Sequence, residues 1–529
     1  MPSVTTPNPR AKKTTGLRYW MLQVLEECKR VSADFSPDSV HDLRVSLRRC
    51  RSLADGLMAL DSDPGWKTMK KAGKRLFQRL GDLRDIHVME EWIEKLEPNV
   101  ERAPTPALLA SDLTSASAPG EARSPSNVPD STAPALLKIL KAREAEQKRE
   151  AQAALAEFDQ KQWRQWSKSL PARAARFRPG NALFKHLALE RWTAARELHN
   201  RALRNRSQTA FHALRIGIKR FRYIVENFLP AEHKAWSNDL KHMQDLLGEV
   251  HDLDVLWSTA VSCHVFPDAD SRNRWHLQIL VERGKRIEGY RAEMVGEKSL
   301  WQVWRAALPQ GRQIQSLATR RMKLWANGLD PDFPHSERVA SLALQLYDGL
   351  LATGWQPAVD GISARSSLLA AALLHDVGKS KGEKGHHKAS FDMIRNHGNP
   401  LGWKPADLQR AGIVARFHRG ALPTRKHKTL RDLLLDEQKG TIQLAAILRL
   451  ANALDAAHDG RVRFLRVESS DANHGRRVEP RYIVISAEGY LPRSATARVA
   501  AAERYLLETI LQRAVLIRPM SPRTRSATD

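Results

Sequence analysis

HDLRVSLRRCR, residues 41–51, returns in altered form as HALRIGIKRFR at 212–222. In both, a histidine is followed by cations three, seven and ten residues on: His41, Arg44, Arg48 and Arg51, then His212, Arg215, Lys219 and Arg222. At about 100° per residue these offsets fall within a helical wedge of roughly 80°. Leu43, Leu47 and Cys50, or Leu214, Ile218 and Phe221, project from the other side. Each segment therefore predicts a helix that buries one face and presents a row of cations on the other, with Arg49 and Arg220 flanking the rows. Further along, Lys74 with LGDLRDIHV (80–88) matches Lys241 with LGEVHDLDV (247–255), the lysine standing seven residues before Gly81 or Gly248. A single basic helix is usually a solvated surface. The same histidine and cations at the same spacing, each followed by a second matched motif, point instead to an internal duplication with one task. Asp85 and Asp252 occupy equivalent places, where a carboxylate would orient the groups of the basic helix.

The rest of the chain frames this repeat. Its 529 residues suggest two to four domains, and 42% hydrophobic with 27% charged residues is an ordinary globular composition. Lys+Arg exceed Asp+Glu by 85 to 59, a formal charge of +26, which favours a polyanionic partner. Much of the excess is local: residues 161–222 hold sixteen cations against Glu190 and Glu197. Three scattered cysteines, Cys28, Cys50 and Cys263, offer neither a disulfide framework nor a four-thiolate zinc site, as expected for a cytoplasmic protein. No apolar run suits a membrane span or a secretory signal.

Residues 1–15, the Ala/Ser/Pro/Thr-rich stretch at about 98–134 and residues 519–529 read as disordered. From Ala135 to about Leu308 helical periodicity dominates. After Arg461, RVRFLRVE and RYIVISAEG read as strands, Ala497 to Arg513 as a helix, and AVLIRP as a closing strand. The expected fold is mainly α. Two helical bundles at 16–305 precede an all-helical domain at 325–460 and a small α/β appendage at 461–518.

The paired motifs resemble the CHAD domain, a helical domain with conserved histidines, over residues 16–305. The resemblance implies two pseudo-symmetric bundles whose basic helices line a groove for inorganic polyphosphate. His41, Arg44, Arg48, Arg49, Arg51 and Lys74, with His212, Arg215, Lys219, Arg220, Arg222 and Lys241, are then its binding residues. Elementary chemistry agrees: polyphosphate repeats one charge and has no bases, so rows of Arg and Lys on rigid helices satisfy it without sequence readout.

A second constellation lies downstream. His335 opens an amphipathic helix, His375 and Asp376 close another in LLHDVGK, and Asp455 ends LAAILRLANALD. A lone HD dipeptide is weak evidence, but an earlier histidine and a later aspartate complete a mixed nitrogen and oxygen set suited to Mn²⁺, Fe²⁺, Zn²⁺ or Mg²⁺. These residues are similar to the HD phosphohydrolase superfamily. GHHKAS, RFHRG and AAILRLANALD narrow the likeness to the C-terminal region of the exopolyphosphatase/guanosine pentaphosphatase family. The resemblance implies metal ligation by His335, His375, Asp376 and Asp455, and a second ion at His387 and His418, with His397 a competitor for one of those places. It also implies an HD-type reaction in which the metal lowers the pKa of attacking water, with Asp376 at the centre and Lys379, Arg416 or Arg419 neutralising phosphate charge. The glycine-rich phosphate loops of the actin-like exopolyphosphatase domain are absent from the sequence, so any cleavage falls to the HD site.

The leading expectation is thus polyphosphate capture coupled to metal-dependent hydrolysis of polyphosphate or a phosphorylated nucleotide. The alternative is a polyphosphate-granule protein whose HD portion regulates or docks without turnover. Specific nucleic-acid binding has only the charge in its favour, since no recognised binding motif is present.

Overall fold

The computed structural model describes residues 16–100, 131–470 and 482–520. The expected disordered tail at 1–15, most of that at 519–529 and most of the low-complexity stretch lie outside the described residues; Pro519 instead ends a strand. The chain divides between Pro309 and Gln310 into two compact units, with Leu60–Ser62 grouped with the second.

The first unit is helical among its described residues. It comprises α1 (Leu17–Ala33), α2 (Pro37–Leu57), α3 (Pro64–Ala72), α4 (Lys74–Val100), α5 (Thr132–Ala156), α6 (Gln160–Ala174), α7 (Ala182–Asn205), α8 (Gln208–Phe228), α9 (Pro230–Ser262), α10 (Ala269–Met294) and α11 (Leu300–Ala306). The repeat is structural: α2 and α8 carry the basic rows, α4 and α9 the second motif. The helix starts repeat too. The N-cap Ser36 hydroxyl accepts from Ser39 N, and the N-cap Ser207 hydroxyl from Ala210 N, five residues before His41 and His212. The apolar sides predicted from the sequence, Leu43, Leu47 and Cys50 with Leu214, Ile218 and Phe221, are fully buried.

Across the duplication α2 packs on α8 and α4 on α9. The two halves interlock at the ends of α2 and α8. Asn227 Nδ2 donates to Ser52 Oγ (3.0 Å), and Arg49 pairs with Glu226 (2.5 Å). A Cβ on Gly56 would fall 2.1 Å from the Phe228 ring, so only glycine admits this approach.

The second unit contains α12 (Arg312–Asn327), α13 (Phe333–Ala352), α14 (Gly361–Leu374), a 3₁₀ turn (Val377–Lys381), α15 (His386–His397), α16 (Pro405–Arg416), α17 (Lys428–Arg431), α18 (Leu435–Leu454) and α19 (Ala495–Leu511), with β1 (Leu465–Ser469), β2 (Ile483–Ala487) and β3 (Val515–Pro519). The sheet order is β1-β2-β3; β1 runs antiparallel to β2, and β2 parallel to β3 through α19. The fold is therefore mainly α with a small C-terminal α/β portion. That portion has no core of its own. Leu465, Ile483, Ile485 and Val515 belong to one hydrophobic cluster with α13, α14 and α18, because three strands of five residues cannot bury enough surface alone. In α18 residues 444–451 are buried on all sides, including Arg449, which places this helix at the centre of the unit.

Candidate functional site

In the second unit, five buried side chains converge from four segments. His335 lies in the first turn of α13, His375 caps α14, Asp376 enters the 3₁₀ turn, His386 starts α15 and His418 follows α16. The turn can pass so close to α15 because residue 378 is glycine: a Cβ there would lie 2.2 Å from the His386 carbonyl oxygen. Ser390 of α15 fastens it, donating to the His375 carbonyl (2.6 Å) and accepting from Gly378 N (2.9 Å).

Three of the histidines are pinned in one way. His375, His386 and His418 each donate Nδ1–H to the carbonyl three residues earlier, of Ala372 (2.7 Å), Glu383 (2.9 Å) and Ala415 (2.7 Å). That hydrogen bond occupies Nδ1 and leaves each Nε2 to face Asp376, at 3.4, 3.1 and 3.6 Å. His335 is held by a carboxylate instead, donating Nδ1–H to Asp455 (2.8 Å). Potential ligand atoms cluster as two triads that share Asp376: His335, His375 and Asp376, and Asp376, His386 and His418.

Electrostatics sharpens the picture. Burial disfavours the Asp376 carboxylate, yet His375, His386 and His418 hold it far below the ordinary range. Burial and the neighbouring His375 hold His418 well below its ordinary value, so it is a neutral donor at pH 7. His375 Nε2 and Asp376 Oδ1 are buried without a well-directed hydrogen bond, at a cost of about 1–3 kcal/mol each. A divalent cation would remove that cost, and the imidazole and carboxylate donors suit Mn²⁺, Fe²⁺ or Zn²⁺.

The centre opens into a cavity of about 300 Å³. Its wall includes Lys379, whose Nζ lies 2.6 Å from Asp376, together with Arg419, Asn452 and His458. Val499 and Glu503 of α19 complete it, so the α/β portion forms part of the site. Glu503 accepts from Arg449 Nε (2.7 Å), and the same guanidinium donates to the carbonyls of Phe417 (3.0 Å) and Gly420 (3.1 Å). Arg449 thereby fixes both ends of the turn that carries His418 and Arg419.

In the first unit the basic rows of α2 and α8 face a common space. Lys219 feels Arg215 of its own helix and Arg48 and Arg44 of α2, and burial together with these cations lowers its ammonium to about 8. Arg44 is likewise depressed by burial, with Asp85, Arg48 and Arg84 around it, and its Nε is buried without a partner. Asp85 and Asp252 stand among these cations; loss of surrounding water raises both, Asp252 to about 6. The result is a crowded, partly desolvated row of charge contributed by both halves.

Residues 21–261 match the family model of the CHAD domain. Residues 320–491 match that of Ppx/GppA phosphatase, domain III. The chain joins a CHAD domain to a Ppx/GppA domain III. CHAD domains are associated with polyphosphate, and Ppx/GppA domain III is phosphatase-related. No curated protein matches the chain. Among the described residues no helix is long and apolar enough to cross a membrane.

The predicted residues divide on inspection. In the CHAD domain Arg44, Arg48, Arg215 and Lys219 come together, and His212 lies 3.3 Å from His251. Arg49 and Arg222 both approach Glu226, at 2.5 and 3.9 Å, while Arg51 donates to the Lys70 carbonyl and lies over Phe77. His41 and Arg220 are exposed; Lys74 and Lys241 are exposed two turns before Gly81 and Gly248. Arg84 and His251, which hold the same place in the second motif, were not singled out; their matched positions were the available signal.

In domain III, His335, His375, Asp376 and His418 come together as expected, and so does Lys379. His386, rather than the neighbouring His387, meets Asp376, because the closeness of Gly378 to α15 sets the helix phase. Asp455 is committed to His335, Arg338 (2.9 Å) and Gly460 N (3.1 Å), and so orients the His335 ring. Arg416 lies over Phe391 and Phe417 instead of in the cavity wall, and His397 packs on Trp325. Arg449 and His458 were missed; the first is buried in a run that reads as plain helix.

Proposed function

We propose that the CHAD domain holds inorganic polyphosphate along the row formed by α2 and α8, and that domain III is an HD-type, divalent-metal phosphohydrolase. Its substrate is polyphosphate or a related phosphorylated compound. The observation that carries this reading is the common pinning of His375, His386 and His418 through Nδ1, which aims three Nε2 atoms at one buried carboxylate. A divalent ion bound there supplies Lewis acidity and a lowered water pKa.

The chain's own residues do the rest. His335, His375, Asp376, His386 and His418 hold the cation, and Asp455 keeps the His335 ring in place. Lys379 and Arg419 meet phosphate oxygens in the cavity, while Arg449 holds the turn that presents Arg419. His458, with Nδ1–H donated to Asp332 (2.6 Å) and its ring stacked on His335, lines the cavity beside the cation site. Metal analysis of the purified protein, with phosphate release assayed on polyphosphate and nucleotides under Mg²⁺, Mn²⁺ and Fe²⁺, tests the reading. Stoichiometric metal and release are expected. Their joint absence would leave polyphosphate binding without turnover, as in a granule-associated protein.

A further inference from the structure

Of the sixteen cations in residues 161–222, only Arg215, Lys219, Arg220 and Arg222 belong to α8. A second row stands on α6. Lys161, Arg164 and Lys168 fall within a wedge of roughly 60° and about 10 Å of helix, and Arg176 and Arg178 follow in the exposed turn after it. All five are exposed, and among the described residues none is within ion-pairing distance of a carboxylate. The preceding helix is built differently: on α5, Lys148 pairs with Glu144 (2.8 Å), Arg149 with Glu146, and Glu150 with Arg79 of α4 (2.7 Å).

Like charges three and four residues apart destabilise a helix. Here Trp163, Ser167 and Leu170, buried against α1 and α3, hold the opposite face in place. The helix α1 is also the one on which α2 packs, so α6 and α2 share a neighbour.

We propose that this face of α6 is a second polyphosphate-binding track, engaged by long chains whose other segment occupies the row between α2 and α8. The occupant is a base-free polyanion. Gln165, Ser169 and Ala172 lie beside the cations, whereas the nearby Trp166 packs edge-on against Trp163, so the face of α6 itself carries no aromatic platform for stacking bases; the half-buried Phe177 lies beyond it in the following turn.

The inference rests on the polyphosphate reading of the CHAD domain, and one experiment separates the two. Binding of a short chain, long enough for one row only, and of a long chain is measured for the full-length protein. Wild type is compared with K161Q/R164Q/K168Q and with R48E/K219E. The α6 variant should lose about two units of log–log salt slope and severalfold affinity for the long chain, with short-chain affinity unchanged. Equal losses on both lengths, or none on either, would overturn the second track. A loss confined to single-stranded RNA of matched charge would overturn it also. If R48E/K219E leaves short-chain binding intact, the groove reading itself fails. Thermal melts of both variants guard against misfolding; the α6 cations are exposed, and their removal should not lower the midpoint.

Discussion

The anion groove of the CHAD domain and the centre of domain III solve opposite problems. On the proposed reading the groove faces a repeating ligand, and its cations repeat: Arg44 and Arg48 on α2 are answered by Arg215 and Lys219 on α8. Its side chains are long, partly exposed and mutually repulsive, and burial with three neighbouring cations lowers Lys219 to about 8. On the same reading the domain III centre serves a point charge. Its donors are short, buried and drawn from four segments, and each histidine is locked by a hydrogen bond behind the donor atom. Extended anions are met by periodic charge that awaits neutralisation; a single ion is met by converging lone pairs held in advance.

Substitutions can break this contrast. Asp376 is common to both triads, so Asp376→Ala should abolish bound metal and phosphate release together while leaving polyphosphate affinity within about twofold, since the two sites belong to separate compact units and share no partner residues. Elemental analysis beside a binding titration checks it. Reversing Arg48 and Lys219 to Glu should do the converse, weakening polyphosphate by about a hundredfold or more at low salt with metal content unchanged. Comparable losses from Lys12→Glu with Lys13→Glu would mean that diffuse charge does the binding.

Finer changes sharpen it. If Asp455 orients His335 without joining the shell, Asp455→Ala should weaken metal affinity by about 10–100-fold and not eliminate it, read by competition with a chelator. His386→Ala should lower the metal count and His387→Ala should not; the reverse result would shift α15 by one residue.

The smallest expected effect is on pH. Lys219 loses its proton as pH rises through about 8, and a bound polyanion favours the protonated form. Affinity should therefore fall by about fivefold to tenfold between pH 7 and 9, with proton uptake on binding near pH 8 detectable by calorimetry in two buffers. His41 is pulled below its ordinary value by lost hydration and by Arg48 and Arg84. Its protonation should accordingly add affinity only on the acid side of about 6.5.

Periodicity explains what could be read without coordinates. The faces of α2 and α8 follow from residue spacing alone, since a helix converts spacing into direction. Phase between elements has no such record. Whether His386 or His387 reaches Asp376 depends on how closely Gly378 lets the turn approach α15, and both readings share the same dipeptide. Arg449 sits in LAAILRLANALD like any solvated cation; its three partners, Phe417, Gly420 and Glu503, lie 29 to 54 residues away in the chain. The strands were visible as apolar runs, but their sharing of one core with α13, α14 and α18 is a tertiary fact.

The clasp between Gly56 and Phe228, with Arg49 on Glu226 and Asn227 on Ser52, bears on the protein's descent. Once a duplicated bundle has grown a joint of this kind, its copies cease to be spare parts. A change on one side of the joint must be answered on the other, and neither copy can be lost or traded without its twin. Each half is free to drift on its outer faces, while the seam between them is inherited as one trait.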